Sequence, residues 1–131
     1  MAKDSATGTE IESAVKIKWA DHVADHDYAA AEAYLSLKLD ADAVAKAVQR
    51  LRKAALTTRR ANDILRAAGL TAAPLEDPGV IKDLIKAIEG ERLSPVLVFS
   101  HKKAPDIADG FHRVSLVYRI DPYGHVPLKL A

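Results

Sequence analysis

The chain has 131 residues, 49% hydrophobic and 28% charged, with 19 Lys plus Arg against 18 Asp plus Glu and a formal net charge of +1. That length holds one domain with a real core, and the near-neutral balance makes no global electrostatic case for nucleic acid, so any such case has to be local. The lack of cysteine excludes a disulfide scaffold, thiol chemistry and Cys-ligated zinc.

No apolar run reaches the length of a membrane span, and the start, MAKDSATGTEIES, is too polar for a secretory signal. A soluble cytoplasmic protein with no membrane partner is expected. Residues 1–12 read as a flexible arm and 13–131 as a single domain, a mainly helical subdomain over 13–71 and the sheet core over 72–131. In VKIKW, Val15, Ile17 and Trp19 alternate with Lys16 and Lys18, the pattern of a short strand or of an extended arm packing one face. Asp27 is placed as the N-cap of an Ala-rich helix with Tyr28, Ala31, Leu35 and Leu39 near one face. Asp40 or Asp42 caps a second helix, on which Val44, Val48, Leu51 and Ala55 form a buried stripe. Thr57 or Thr58 caps a third helix over 59–68, stopped by Gly69.

LTAAPLEDP is a connector, and the main organisational boundary falls near residue 72. Asp77 and Pro78 are an N-cap with Pro at the first helical position. The helix that follows carries Val80, Ile81, Leu84, Ile85 and Ile88 and stops at Gly90. SPVLVFS reads as a strand buried on both faces. HKKAP is a turn, DIAD a strand, GFHRVSLVYRI a helix, DPYGH a loop and VPLKL a last strand. The expected fold class is α+β, with N-terminal helices packed on a small mixed sheet.

The stretch Asp109-Gly110-Phe111-His112-Arg113 stands where a strand becomes a helix. The first amides of a helix lack intrahelical partners and carry the positive end of the dipole. A glycine there lets a phosphate approach the backbone. Arg113 offers a bidentate fork to phosphate oxygens, and His112 a further donor. The competing account is a plain capped helix, with Asp109 bonded to the amide of residue 111 or 112 and with Phe111, Val114 and Tyr118 facing the core.

The region from about Asp63 to Ala131 resembles the ParB/sulfiredoxin-like superfamily. DGFHR is similar to the Gly-Cys-His-Arg signature of sulfiredoxins and to the Asp-Gly-His-His-Arg variant of kinase-like members, and more loosely to the Gly-Glu-Arg-Arg motif of ParB proteins. GVIKDLIKAI with LSPVLVF resembles the helix and strand before that signature, and HVPLKL the strand after it. The resemblance implies a ParB/sulfiredoxin-like mixed-sheet core that binds a nucleotide, ATP or CTP, by its phosphates at the Gly110 turn, with His112 and Arg113 as ligands. Phosphoryl transfer or nucleotide hydrolysis is then the reaction class, with Mg²⁺ held in part by Asp109. Phe111 replaces the sulfiredoxin cysteine and excludes that chemistry. Val80, Asp83 and Ala87 are poor replacements for the polar contacts of the preceding helix, for which Lys82 or Lys86 substitute. Of the small residues usual after the signature, Ser115 is kept and Leu116 is not. Glu76, Asp77 and Glu91 are the nearby candidates for a catalytic acid.

Two further constellations carry alternatives. His22 and His26, four apart among Asp21, Asp25 and Asp27, share a face if they lie on one helix and are weak zinc candidates, an Asp-rich helix start being the plainer account. Lys46, Arg50, Arg52, Lys53, Arg59, Arg60 and Arg66 make the 44–66 region basic. Two helices joined by ALTTRR form a helix-turn-helix in which Lys46, Arg50, Lys53, Arg59 and Arg60 contact DNA phosphates, or else a solvated or partner-binding surface, a dimer interface included.

Overall fold

The computed structural model describes residues 15–102 and 104–131. The arm expected over residues 1–12 lies outside them, as does Lys103 of the HKKAP turn. The elements are β1 (Lys18–Trp19), α1 (Asp25–Leu35), α2 (Ala41–Lys53), β2 (Leu56–Arg60), α3 (Ala61–Ala68), α4 (Pro78–Ile88), β3 (Arg92–Leu93), β4 (Val96–His101), β5 (Ala104–Asp109), α5 (Phe111–Ile120) and β6 (His125–Leu130). The four-stranded sheet has the order β2-β6-β4-β5. β6 runs antiparallel to β2 and parallel to β4, and β4 runs antiparallel to β5. β1 and β3 form a separate parallel pair. The fold is α+β, with a mixed sheet.

β4 shows why the layers form. Its side chains alternate between the two faces of the sheet. Leu97 and Phe99 pack with Tyr28, Ala31 and Leu35 of α1 and with Val44, Val48 and Leu51 of α2. Val96 and Val98 pack with Ile64 and Leu65 of α3, Val114 and Val117 of α5, and Val126 and Leu128 of β6. Helices therefore cover both faces, and the buried run VLVF is what such a strand requires. Val80 of α4 meets Leu116 and Ile120 of α5 in a smaller cluster beside the main core.

Several local signals act as their chemistry dictates. Asp40 Oδ1 accepts from the Ala43 amide at 2.8 Å at the start of α2. Asp77 Oδ1 accepts from the Gly79 amide at 2.8 Å, with Pro78 opening α4. Gly69 closes α3 at φ +69°. Ala55 lies beyond the end of α2 and is exposed, so it is not part of the α2 stripe.

The structure departs from the sequence pattern at three further places. The third helix does not begin at residue 59 under a Thr cap: residues 56–60 are strand β2, paired along their length with β6, and α3 starts at Ala61 with Arg60 as its N-cap. The β-branched Thr57 and Thr58 favour the extended chain once β6 supplies a partner. Asp27 is not an N-cap: α1 begins at Asp25 after Ala24, and Asp27 lies buried in its first turn. On α4 the buried residues are Val80, Asp83 and Ala87, while Ile81, Ile85 and Ile88 are exposed, because the helix meets α5 through the Val80 side.

The connector before α4 is pinned. Ser115 Oγ, completely buried, accepts from the Ala73 amide at 3.0 Å. Arg119 donates from Nε to the Ala73 carbonyl and from Nη2 to the Ala72 carbonyl, both at 2.9 Å. Ser115→Ala strands a buried amide, so the variant is expected to lose about 1–3 kcal/mol of stability. In urea denaturation this appears as a lower midpoint at unchanged slope.

Candidate functional site

Gly110 joins β5 to α5 as the helix N-cap, at φ +112°, with no side-chain cap. A Cβ there would stand 2.8 Å from a Val96 methyl and 2.9 Å from Arg113 Nη2. Both the conformation and the space demand glycine. The Val114 amide makes the first helical bond, to the Gly110 carbonyl at 3.0 Å, so the amides of residues 111–113 precede the helical ladder. Asp109 does not cap this helix. Its Oδ2 accepts instead from Arg113 Nη2 at 2.9 Å.

The same Nη2 reaches Asp27 Oδ2 at 3.4 Å. Arg113 is 15% exposed and Asp27 only 4%, so this three-residue cluster is largely out of water. Arg113 Nε is buried without a hydrogen-bond partner among the described residues. Burial pushes the Asp109 carboxyl above its ordinary range; Arg113 opposes the shift and the nearby Asp27 reinforces it.

His112 is half-exposed, and its Nε2 lies 3.3 Å from Asp77 Oδ1, the N-cap of α4. Its ring rests on Gly79, where a Cβ would fall 2.6 Å from the imidazole Cγ. The N-termini of α4 and α5 are thus in direct contact. Phe111 packs edge-on against the His112 ring at 5.5 Å.

An open cavity of about 330 Å³ forms where these ends meet. Gly79, Gly110 and His112 border it, with Lys82, Asp83 and Lys86 from α4 and His26 and Asp27 from α1. Asp83 is 9% exposed and makes no hydrogen bond or ion pair among the described residues. Burial raises its carboxyl, while the charges of Arg113, Lys86, His112 and Lys82 pull it back. The structure therefore gathers Asp109, Gly110, Phe111, His112 and Arg113 with Lys82 and Lys86. Asp77 reaches the site through His112, whereas Glu76 and Glu91 do not line the cavity. The contribution of α1 is absent from the sequence reading, because Asp27 and His26 lie far outside the 63–131 region and no local pattern announces a buried acid that pairs with an arginine on another helix.

The other constellations do not assemble as expected. His22 precedes α1, so it shares no helix with His26. His22 Nδ1 is 2.8 Å from Asp21 Oδ1, and His26 Nε2 is 3.2 Å from Asp27 Oδ1. No group of three potential metal ligands occurs among the described residues. Of the Asp109 carboxylate, Oδ2 is engaged by Arg113. β2 separates α2 from α3, so they form no helix-turn-helix. Lys46, Arg50 and Lys53 lie on the exposed side of α2, and Arg59 and Arg60 on β2. Arg50 lies over Phe99 at 5.5 Å and Arg60 over Tyr123 at 5.8 Å.

Fold and site together define an α+β protein with a polar cavity where helix N-termini converge. No protein-family model, no curated protein and no solved structure matches the chain. Among the described residues, no helix is long and apolar enough to cross a membrane.

The Asp83 carboxyl holds its proton more tightly in the folded state than in the unfolded one. Its stabilising contribution is therefore full in acid and is lost as pH rises from the ordinary carboxylate range through the raised folded value. Asp83→Asn is expected to match wild type near pH 3 and to melt higher than wild type at neutral pH. Melting temperatures measured between those limits check it; a variant less stable at neutral pH contradicts it.

Proposed function

We propose that the protein is a phosphate-binding module that takes inorganic phosphate, or the phosphoryl groups of a nucleotide such as ATP or CTP, at the Gly110 turn. The observation that carries this is the N-terminus of α5, which has no side-chain cap and opens on a cavity that Lys82, Lys86 and His112 line beside Asp27, Asp83 and Asp109; the first amides of α4 are already taken by Asp77. Helix N-termini supply outward amides and a positive dipole end, the usual requirements of an anion. The amides of Phe111 and His112 and the half-exposed imidazole are the donors for the phosphate oxygens, with the two lysines adding charge. The resemblance to ParB/sulfiredoxin-like proteins supports the same position for the phosphate.

Arg113 takes a different part from the free bidentate fork expected of it. Its Nη2 is engaged by two carboxylates, so it fixes the turn and contributes its charge from behind. The Arg113→Ala variant is consequently a poor test, because it strands the buried Asp27 and is expected to cost about 3–5 kcal/mol of stability by itself.

The informative experiment is a thermal-shift panel of phosphate, ATP and CTP, with and without Mg²⁺, on wild type, His112→Ala and Lys86→Ala. Ligand at a hundred times its dissociation constant is expected to stabilise wild type by about 2.7 kcal/mol. Both variants are expected to lose most of that shift while keeping the unliganded melting temperature within a few degrees. Gly79→Ala, which displaces the His112 ring, should weaken binding in the same direction. No shift of wild type with any of these ligands overturns the proposal.

A further inference from the structure

A second cavity lies away from the Gly110 turn, on the α3 side of the sheet. It is an open cavity of about 250 Å³ between α3 and strands β4, β5 and β6. Its apolar walls include Ile64 and Ala67 of α3, Val98 of β4, and Leu128 and Leu130 of β6. Ile64, Val98 and Leu128 are buried, so the floor belongs to the core itself. α3 has only eight residues and stops at Gly69.

Two opposite charges line the same cavity: Arg59, from the end of β2, and Asp63, from the first turn of α3. Both are exposed and stand at the rim. They form no ion pair with each other among the described residues. Arg59 is held in place from one side, its Nη1 donating to Thr57 Oγ1 at 3.0 Å and to the Thr58 carbonyl at 2.8 Å. That leaves the Nε–Nη2 edge of the fork for a carboxylate. Asp63 has only a long contact with Arg66, at 3.8 Å, and keeps acceptor capacity for an ammonium group.

An apolar void with a few convergent polar groups has the form of a small-molecule site. The rim narrows the chemistry. A simple apolar acid would satisfy Arg59 and place its charge beside Asp63; an apolar amine would do the reverse. A molecule bearing both charges on one carbon, with an apolar tail, meets all three features. We propose that this cavity binds a free hydrophobic α-amino acid, its carboxylate on Arg59, its ammonium on Asp63 and its side chain against Val98 and Leu128. The site is independent of the phosphate cavity and stands or falls separately from it.

Calorimetric titration of the full chain with L-leucine, 4-methylpentanoate and 3-methylbutylamine tests this, the last two each lacking one charged group. Leucine is expected to bind several-fold more tightly than either, the two rim charges being exposed. Arg59→Gln is expected to reduce leucine to the level of the amine, and Asp63→Asn to the level of the acid. Ala67→Phe, at an exposed position on the wall, fills the cavity and abolishes binding, with circular dichroism confirming that it folds. The proposal is overturned if leucine produces no binding heat, if the acid alone binds as tightly as leucine, or if leucine binding survives in folded Ala67→Phe.

Discussion

The arrangement depends on one cation, Arg113, held between two carboxylates. Asp109 closes β5, Arg113 stands in the first turn of α5, and Asp27 stands in the first turn of α1. α1 packs on one face of the sheet and α5 on the other. The guanidinium contact therefore reaches around β5 and ties the two helical layers together at the point where the strand ends. A charge cluster so poorly hydrated is a costly way to add stability, since desolvation offsets much of the attraction. What it supplies is position: with only one partner present, the remaining charge is left buried, so alternative placements of α1 against the turn are strongly disfavoured.

That position is what makes the cavity possible. Gly110 turns the chain so sharply that no side chain fits there, and the turn delivers His112 onto Gly79 and Asp77 of α4. Gly79 leaves room for the His112 ring against the start of α4, and Gly110 leaves room for Val96 and the Arg113 guanidinium. Between them lies a pocket bordered by lysines on α4 and backed by an arginine whose charge is already shared. The buried Asp83 stands in its wall with Asp27 and Asp109, so acidic groups line the site beside the lysines.

Much of this was legible in local sequence wherever the physics is local. The helix caps at Asp40 and Asp77, the left-handed stop at Gly69 and the doubly buried VLVF strand depend on neighbours a few residues away. The Gly110 turn was legible for the same reason. β2 was not, because Thr57 and Thr58 extend only in the company of a strand about seventy positions later. The apolar side chains of α4 point to the wrong face when counted alone: Ile81, Ile85 and Ile88 make a regular stripe, yet the helix turns Asp83 and Ala87 inward beside Val80. Asp27 has the chemistry of a cap, but its buried bond to Arg113 depends on the sheet that brings α1 and α5 together.

The order of the sheet has a consequence for how the chain acquires its structure. β6 lies between β2 and β4, and each of those depends on it for a neighbour: Arg60 pairs with His125, and Val96 with Leu128. During synthesis β2 leaves the ribosome long before its partner exists, and β4 can form only the hairpin with β5. Until residues 125–130 arrive, the nascent chain carries two unfilled strand edges flanking a gap, the kind of exposed pairing surface that chaperones protect and that aggregation exploits. Closure of the sheet is then a late event that joins residues about seventy positions apart.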